Sequence, residues 1–208
     1  MKTPKEIYKK YFIDNNLERL ELFNVVTNEY RTKKALYPGS FVHIAASFSI
    51  PEVVYVDTDK QAIRFFREKE VVREIINTRK TYSIEPIFGF IGANYIEPLD
   101  LKKESFDLLI SQYSGIISRY CKNYLKIGGI LLTNNSHADA GVAHLDKDYE
   151  LIAVMNEENG EIRISDKDLD EYFIPKGKIN PTIEGLIESG KGIKYTRIAD
   201  NYIFKRVK

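Results

Sequence analysis

The chain has 208 residues, a formal net charge of +1 at pH 7, 43% hydrophobic and 29% charged residues. That length suits one α/β domain with a full hydrophobic core, and the balanced charge argues against a nucleic-acid binder that works by bulk electrostatics. The one cysteine, Cys121, excludes an internal disulfide and a multi-cysteine zinc site and fits a reducing compartment.

The segment Met1 to Lys10 is polar and basic with no apolar run behind it, so it is not expected to act as a signal peptide. No stretch approaches the roughly 20 apolar residues that cross a bilayer, and the cytoplasm is the expected location. Pro4 to Tyr30 reads as helix, with apolar residues at helical spacing and a break at Asp14-Asn15-Asn16. Lys34 to Tyr37 reads as a strand ended by the turn Pro38-Gly39-Ser40. Phe41 to Phe48 reads as a helical turn or loop, and Glu52 to Asp57 as a strand. A helix is expected over Lys60 to Glu74, with Ile63, Phe66 and Val71 near one face, and a short strand within Tyr82 to Ile91. After a polar loop at Leu99 to Glu104, Phe106 to Ser111 is a strand and Ile116 to Leu125 a helix. Gly128-Gly129 leads into the strand Ile130 to Asn134.

Strands that alternate with helices in this way predict a mostly parallel sheet, covered on both faces. The remainder changes character. Tyr149 to Met155 and Glu161 to Ser165 flank the turn Glu157-Glu158-Asn159-Gly160 and read as a hairpin. Asp166 to Tyr172 reads as a short helix capped by Ser165 or Asp166. Pro181 to Ser189 reads as a helix ended at Gly190, and Lys194 to Ile198 with Tyr202 to Val207 as a final strand pair. The expected class is therefore α/β, with a mixed sheet that is mostly parallel and has antiparallel C-terminal strands.

Candidate ligand-binding residues gather at the ends of the first two strands. In open α/β sheets, ligands bind beyond the carboxyl ends of the strands. Gly39 lets backbone approach a ligand without an intervening side chain. Asp57 ends the next strand about 20 residues on, where a carboxylate accepts hydrogen bonds from the two hydroxyls of a ribose. The competing reading is a plain turn glycine and an Asp that caps the helix starting near Lys60.

The run Ala35 to Ser40, followed by Val53 to Asp59, resembles the first two motifs of the class I S-adenosylmethionine-dependent methyltransferases. Tyr95-Ile96-Glu97-Pro98-Leu99 and Ser105 to Ser111, with Asp107 in a Phe-Asp pair, resemble that family's third and fourth strand region. Tyr124 to Leu132, with Lys126 and Gly128-Gly129, is similar to the segment leading into its fifth strand. The match in order and spacing covers about half of the chain. The resemblance implies a three-layer, Rossmann-like fold in a single domain over residues 1–208. Residues 1–33 would form an N-terminal helical segment, 34–155 the cofactor-binding core, and 156–208 the C-terminal strands and acceptor-side elements. It also implies S-adenosylmethionine as cofactor, with methyl transfer as the activity. Tyr37, Pro38, Gly39, Ser40, Asp57, Thr58, Asn94 and Tyr95 would bind the cofactor, with Ser111 and Gln112 beside its methionine part.

This chain departs from that pattern in its first loop, which carries one glycine where the family has two or three and an acidic residue. Gly92-Ala93-Asn94 stands where the family has a Gly-Asp pair, and the Asn94 carbonyl oxygen can accept a bond from an adenine amino group. Ser40, His43 and Ser47 are candidates for polar contacts in place of the missing glycine amides. A small-molecule acceptor is expected ahead of a protein or nucleic acid, and no membrane partner; no general base or oligomeric state is assigned. Two other functions are compatible with these residues: a non-catalytic binding or scaffold protein of the same fold, and a nicotinamide-dependent oxidoreductase. Cys121 reads as a buried structural thiol. His137, Asp139 and His144 match no metal-ligand spacing, and Ser136 or Asp139 is expected to cap the helix that follows.

Overall fold

The computed structural model describes residues 2–208. Two compact units follow each other along the chain, Met1–Leu99 and Asp100–Lys208. In the first, helix α1 (Pro4–Tyr8) opens on a capping box: Thr3 Oγ1 accepts from the Glu6 backbone N–H, and the Glu6 carboxylate accepts from the Thr3 N–H at 2.8 Å. A π-helical turn (Lys9–Ile13) carries it to the expected break, where Asn16 and Arg19 have φ values of 54° and 53°. Helix α2 (Leu20–Tyr30) then buries Leu22, Phe23 and Val26. Strands β1 (Lys34–Pro38), β2 (Glu52–Val56) and β3 (Ile87–Ile91) pair in parallel, with Leu36 opposite Val54 and Val54 opposite Gly89. The short helix α3 (Ala46–Ser49) lies between β1 and β2 in sequence.

The single helix expected over Lys60 to Glu74 is two helices, α4 (Lys60–Arg67) and α5 (Lys69–Asn77), parted at Glu68 with φ −80° and ψ 57°. The pattern of buried residues explains the break. Ala62, Phe65 and Phe66 are buried on α4, and Val72, Ile75 and Ile76, each ten residues on, are buried on α5. Ten residues of continuous helix fall roughly 80° short of three full turns. The break at Glu68 removes that slip and keeps both apolar stripes inward.

In the second unit, strand β4 (Phe106–Ser111) is followed by helix α6 (Ile117–Tyr120) and a 3-10 turn (Lys122–Tyr124). The helix expected to reach Leu125 stops early because Leu125 already belongs to strand β5 (Leu125–Thr133). Register explains the longer strand. Phe106 pairs with Leu125 and Leu108 with Ile130, so Gly128 (φ 80°) and Gly129 lie in a bulge inside the strand rather than ahead of it. Helix α7 (Asp139–Leu145) precedes the hairpin of β6 (Tyr149–Glu158) and β7 (Glu161–Ser165). Its turn residues, Asn159 and Gly160, both have positive φ, as the sequence leads one to expect. The helix expected over Asp166 to Tyr172 shrinks to a 3-10 turn at Leu169–Glu171. Helix α8 (Ile183–Ser189) has Thr182 as N-cap and Gly190 in the left-handed region as C-cap. Ile116, Ala138, Val142 and Leu186 form the apolar core of the contact among α6, α7 and α8.

The final strand pair is not formed. Strand β8 (Asn201–Arg206) pairs antiparallel with β5 and with β6, whereas Tyr195 makes only an isolated bridge to Pro175. Tyr202, Ile203 and Phe204 are each at most 1% exposed and Ile198 is 72% exposed. Successive buried side chains show that both faces of β8 are covered, and its two edges are already taken by β5 and β6, which leaves none for residues 194–198. The strands of the first unit lie in the order β3-β2-β1 and those of the second in the order β4-β5-β8-β6-β7. The pairing is mixed, parallel among β1 to β3 and between β4 and β5 and antiparallel by β7 and β8, with helices flanking the strands, as the α/β class requires. Among the described residues, no helix is long and apolar enough to cross a membrane.

Candidate functional site

The turn after β1 is folded onto the end of β2. The Gly39 N–H donates to the Val56 carbonyl at 2.7 Å, and the Ser40 N–H reaches the same oxygen at 3.4 Å. One Asp57 carboxylate oxygen accepts from the Phe41 N–H at 2.7 Å and the other from the Asp59 N–H at 2.8 Å. Gly39 has φ 63° and Phe41 φ 49°, both left-handed. Glycine takes that conformation at no steric cost and phenylalanine does not, so the bond from the Phe41 N–H to Asp57 helps to hold the loop in place. Asp57 thus belongs to neither of the simple readings alone. It organises the first loop while its partly exposed carboxylate retains acceptor capacity on each oxygen. The cap of α4 is Asp59, which accepts from the Gln61 and Ala62 N–H groups at 2.6 and 3.1 Å.

The structure therefore brings Tyr37, Pro38, Gly39, Ser40 and Asp57 together, with Thr58 exposed beside them. Asp57 also donates its N–H to the Ile91 carbonyl at the end of β3. Asn94 and Tyr95 follow three and four residues later. Asn94 is exposed, and its carbonyl oxygen accepts from the Ile96 N–H at 3.1 Å. Tyr37 itself turns inward and is 2% exposed.

His43 and Ser47 are not loop contacts. The His43 Nε2 lies 2.9 Å from the Glu18 carbonyl and its Nδ1 2.9 Å from the Tyr37 hydroxyl. A carbonyl only accepts, so Nε2 carries the proton and Nδ1 accepts from Tyr37. Burial, with the Arg19 cation nearby, pushes His43 down to about 3. A neutral, doubly bonded imidazole at 2% exposure is a core group. The Ser47 hydroxyl is 2.5 Å from that of Tyr55.

The second unit has its own polar cluster at the ends of β4 and β5. The Gln112 amide donates to Asn201 at 2.9 Å and accepts from Asn134 at 3.3 Å, and Asn134 in turn accepts from the backbone and hydroxyl of Ser136. Ser111 donates to Asp139, which also accepts from the Ser118 hydroxyl and backbone N–H and from Thr133 at 3.3 Å. Asp139 does not cap α7. The N-cap is Ala138, with φ 69° and no side-chain bond. Asp139 is 1% exposed, and burial pushes its carboxyl up to about 6 against four hydrogen bonds that pull it down. The sequence carries no periodic signal for this cluster, because Ser111, Ser118, Thr133 and Asp139 come from four different elements. His144 instead stacks on Phe173 at 4.2 Å between ring centroids. Cys121 is buried, and burial pushes its thiol up to about 12, as expected for a structural cysteine.

No family model matches the chain, and no curated protein matches it either. Among solved structures it is similar to a methyltransferase from Geobacter sulfurreducens, at 10% identity over 77% of this chain and 84% of that one, with TM-score 0.49. It is similar to a protein of Pyrococcus horikoshii at 15% identity over 96% and 98%, with TM-score 0.47. It is also similar to a putative O-methyltransferase from Klebsiella pneumoniae at 13% identity over 70% and 76%, with TM-score 0.45.

Proposed function

We propose that the chain is an S-adenosylmethionine-dependent methyltransferase acting on a small-molecule acceptor. The observation that carries this reading is the bond from the Phe41 N–H to the Asp57 carboxylate, which sets a left-handed glycine loop beside a partly exposed acid at the end of the second strand. Those are the elements a ribose site of this fold class needs. The residues fit the cofactor in donor and acceptor chemistry. Each Asp57 oxygen accepts one backbone N–H and has a further lone pair for a ribose hydroxyl. Gly39 presents backbone without a side chain, and the exposed Thr58 and Asn94 supply polar groups for the rest of the nucleoside.

Bound S-adenosylmethionine supplies an electrophilic methyl group. The protein's part is then positioning, since in-line transfer to a desolvated nucleophile needs no covalent enzyme intermediate. Asp57 orients the ribose, and the loop from Tyr37 to Ser40 limits where the cofactor sits. Ser111 and Gln112 enter the proposal through the sequence resemblance. Their side chains are bonded within their own unit, Ser111 to Asp139 and Gln112 to Asn201. The balanced net charge gives no general attraction for a polyanion, which places a small molecule ahead of a nucleic acid as acceptor.

Calorimetric titration of the folded chain with S-adenosylmethionine and S-adenosylhomocysteine tests the reading. Both are expected to bind, and Asp57→Ala is expected to weaken them by roughly tenfold or more, the worth of a hydrogen bond to a charged group. Asp57→Asn keeps an acceptor for the Phe41 N–H and separates loop collapse from loss of ribose contact. Absence of binding at millimolar ligand would overturn the proposal.

A further inference from the structure

A cleft of ≈ 870 Å³ lies within the first unit, between the segment that contains α1 and the helices α4 and α5. Its volume is that of a small-molecule site. Pro4, Ile7, Tyr11, Phe65 and Val71 give it an apolar lining, and Pro4 and Phe65 are buried. The charges around this lining are lopsided: Lys2, Lys5, Lys10, Arg64 and Arg67 against Glu68 and Glu74. One of the two carboxylates is already neutralised, since Lys5 Nζ lies 2.7 Å from Glu74. Arg64 and Arg67 are exposed and make no ion pair among the described residues. They stand three residues apart on α4, so they share a face of the helix.

Two guanidinium groups on one face suit an anion with several oxygens, because each fork can offer paired N–H donors. An apolar lining beneath them suits a hydrocarbon or aromatic body. We propose that this cleft binds a small, free organic phosphate monoester, with the phosphate on Arg64 and Arg67 and the apolar body against Ile7, Tyr11, Phe65 and Val71. Lys10, whose Nζ sits 5.0 Å from the Tyr11 ring centroid, adds a third cation beside an aromatic wall. Tyr11 also packs edge to face on Phe41 of the Asp57 loop, at 5.0 Å between ring centroids, but the anion site on Arg64 and Arg67 does not rest on the cofactor assigned to that loop.

The test is calorimetric titration of the full chain with 1-naphthyl phosphate, 1-naphthol and inorganic phosphate. The first is expected to bind once per chain, roughly tenfold or more tighter than either part, and to weaken as salt rises. The double variant R64E/R67E is expected to lose roughly tenfold or more in affinity, while K205E, at an exposed site on β8, leaves it unchanged. Both arginines are exposed, and an unchanged circular dichroism spectrum confirms that the variant is folded. The proposal is overturned if 1-naphthyl phosphate binds no better than inorganic phosphate, or if R64E/R67E binds it as the parent does. It is also overturned if the chain binds phosphatidylglycerol vesicles or an acidic peptide but not 1-naphthyl phosphate, which would make the cleft a macromolecular docking surface.

Discussion

His43 and Asp139 are both buried ionisable groups, and their surroundings treat them differently. His43 is held neutral by burial between a carbonyl and a phenol. Asp139 keeps a carboxyl that titrates near 6, because desolvation outweighs the donors from Ser111, Ser118 and Thr133. Its unfolded value is 3.8, so between about pH 4 and 6 the folded chain holds a proton that the unfolded chain has lost. The stabilising contribution is fully present below pH 4 and is lost as pH rises to 6. At about 1.4 kcal/mol per pH unit that window is worth roughly 3 kcal/mol. Asp139→Asn removes the titration. In urea unfolding at a series of pH values, parent stability is expected to fall relative to the variant across this window. A difference that stays flat with pH would show that Asp139 is ionised throughout.

At the scale of elements, the N-terminus of α4 rests on one side chain. Asp59 accepts from two backbone N–H groups that the helix cannot satisfy by itself. Asp59→Ala is expected to cost about 1 kcal/mol, read as a lower urea midpoint with an unchanged slope. An unchanged midpoint would mean that packing of Phe65 and Phe66 alone holds the helix start. The neighbouring break at Glu68 follows the same logic. Local sequence favours continuing a charged, amphipathic helix, but the buried stripe of α5 is out of phase with that of α4. Burial of six apolar side chains outweighs the loss of one or two helical hydrogen bonds.

At the scale of the whole molecule, the functional proposal makes a statement about stability. A ligand that binds only the folded chain adds about 2.7 kcal/mol at a hundred times its dissociation constant. For a protein of this size that raises Tm by roughly 5–10 °C. Thermal unfolding with S-adenosylmethionine at that excess is expected to show such a rise, and Asp57→Ala to lose most of it. An unmoved Tm in the parent would count against the assigned cofactor.

The sequence by itself determined the α/β class, β1, β2 and β4 nearly to the residue, the β6–β7 hairpin and α8 with its end at Gly190. Each of these is written in local signals: apolar runs, turn residues with positive φ, and a glycine that ends a helix. It also put Gly39 and Asp57 at strand ends, because their positions follow from strand boundaries alone. Only the tertiary structure decided where β8 inserts, since a strand buried on both faces takes whichever neighbours complete its hydrogen bonds, and nothing local names them. The same holds for Asp139, whose partners lie 6 to 28 residues away, and for the inward turn of His43. Bonds between side chains of separate elements form only after packing has brought those elements together, so no spacing along the chain announces them.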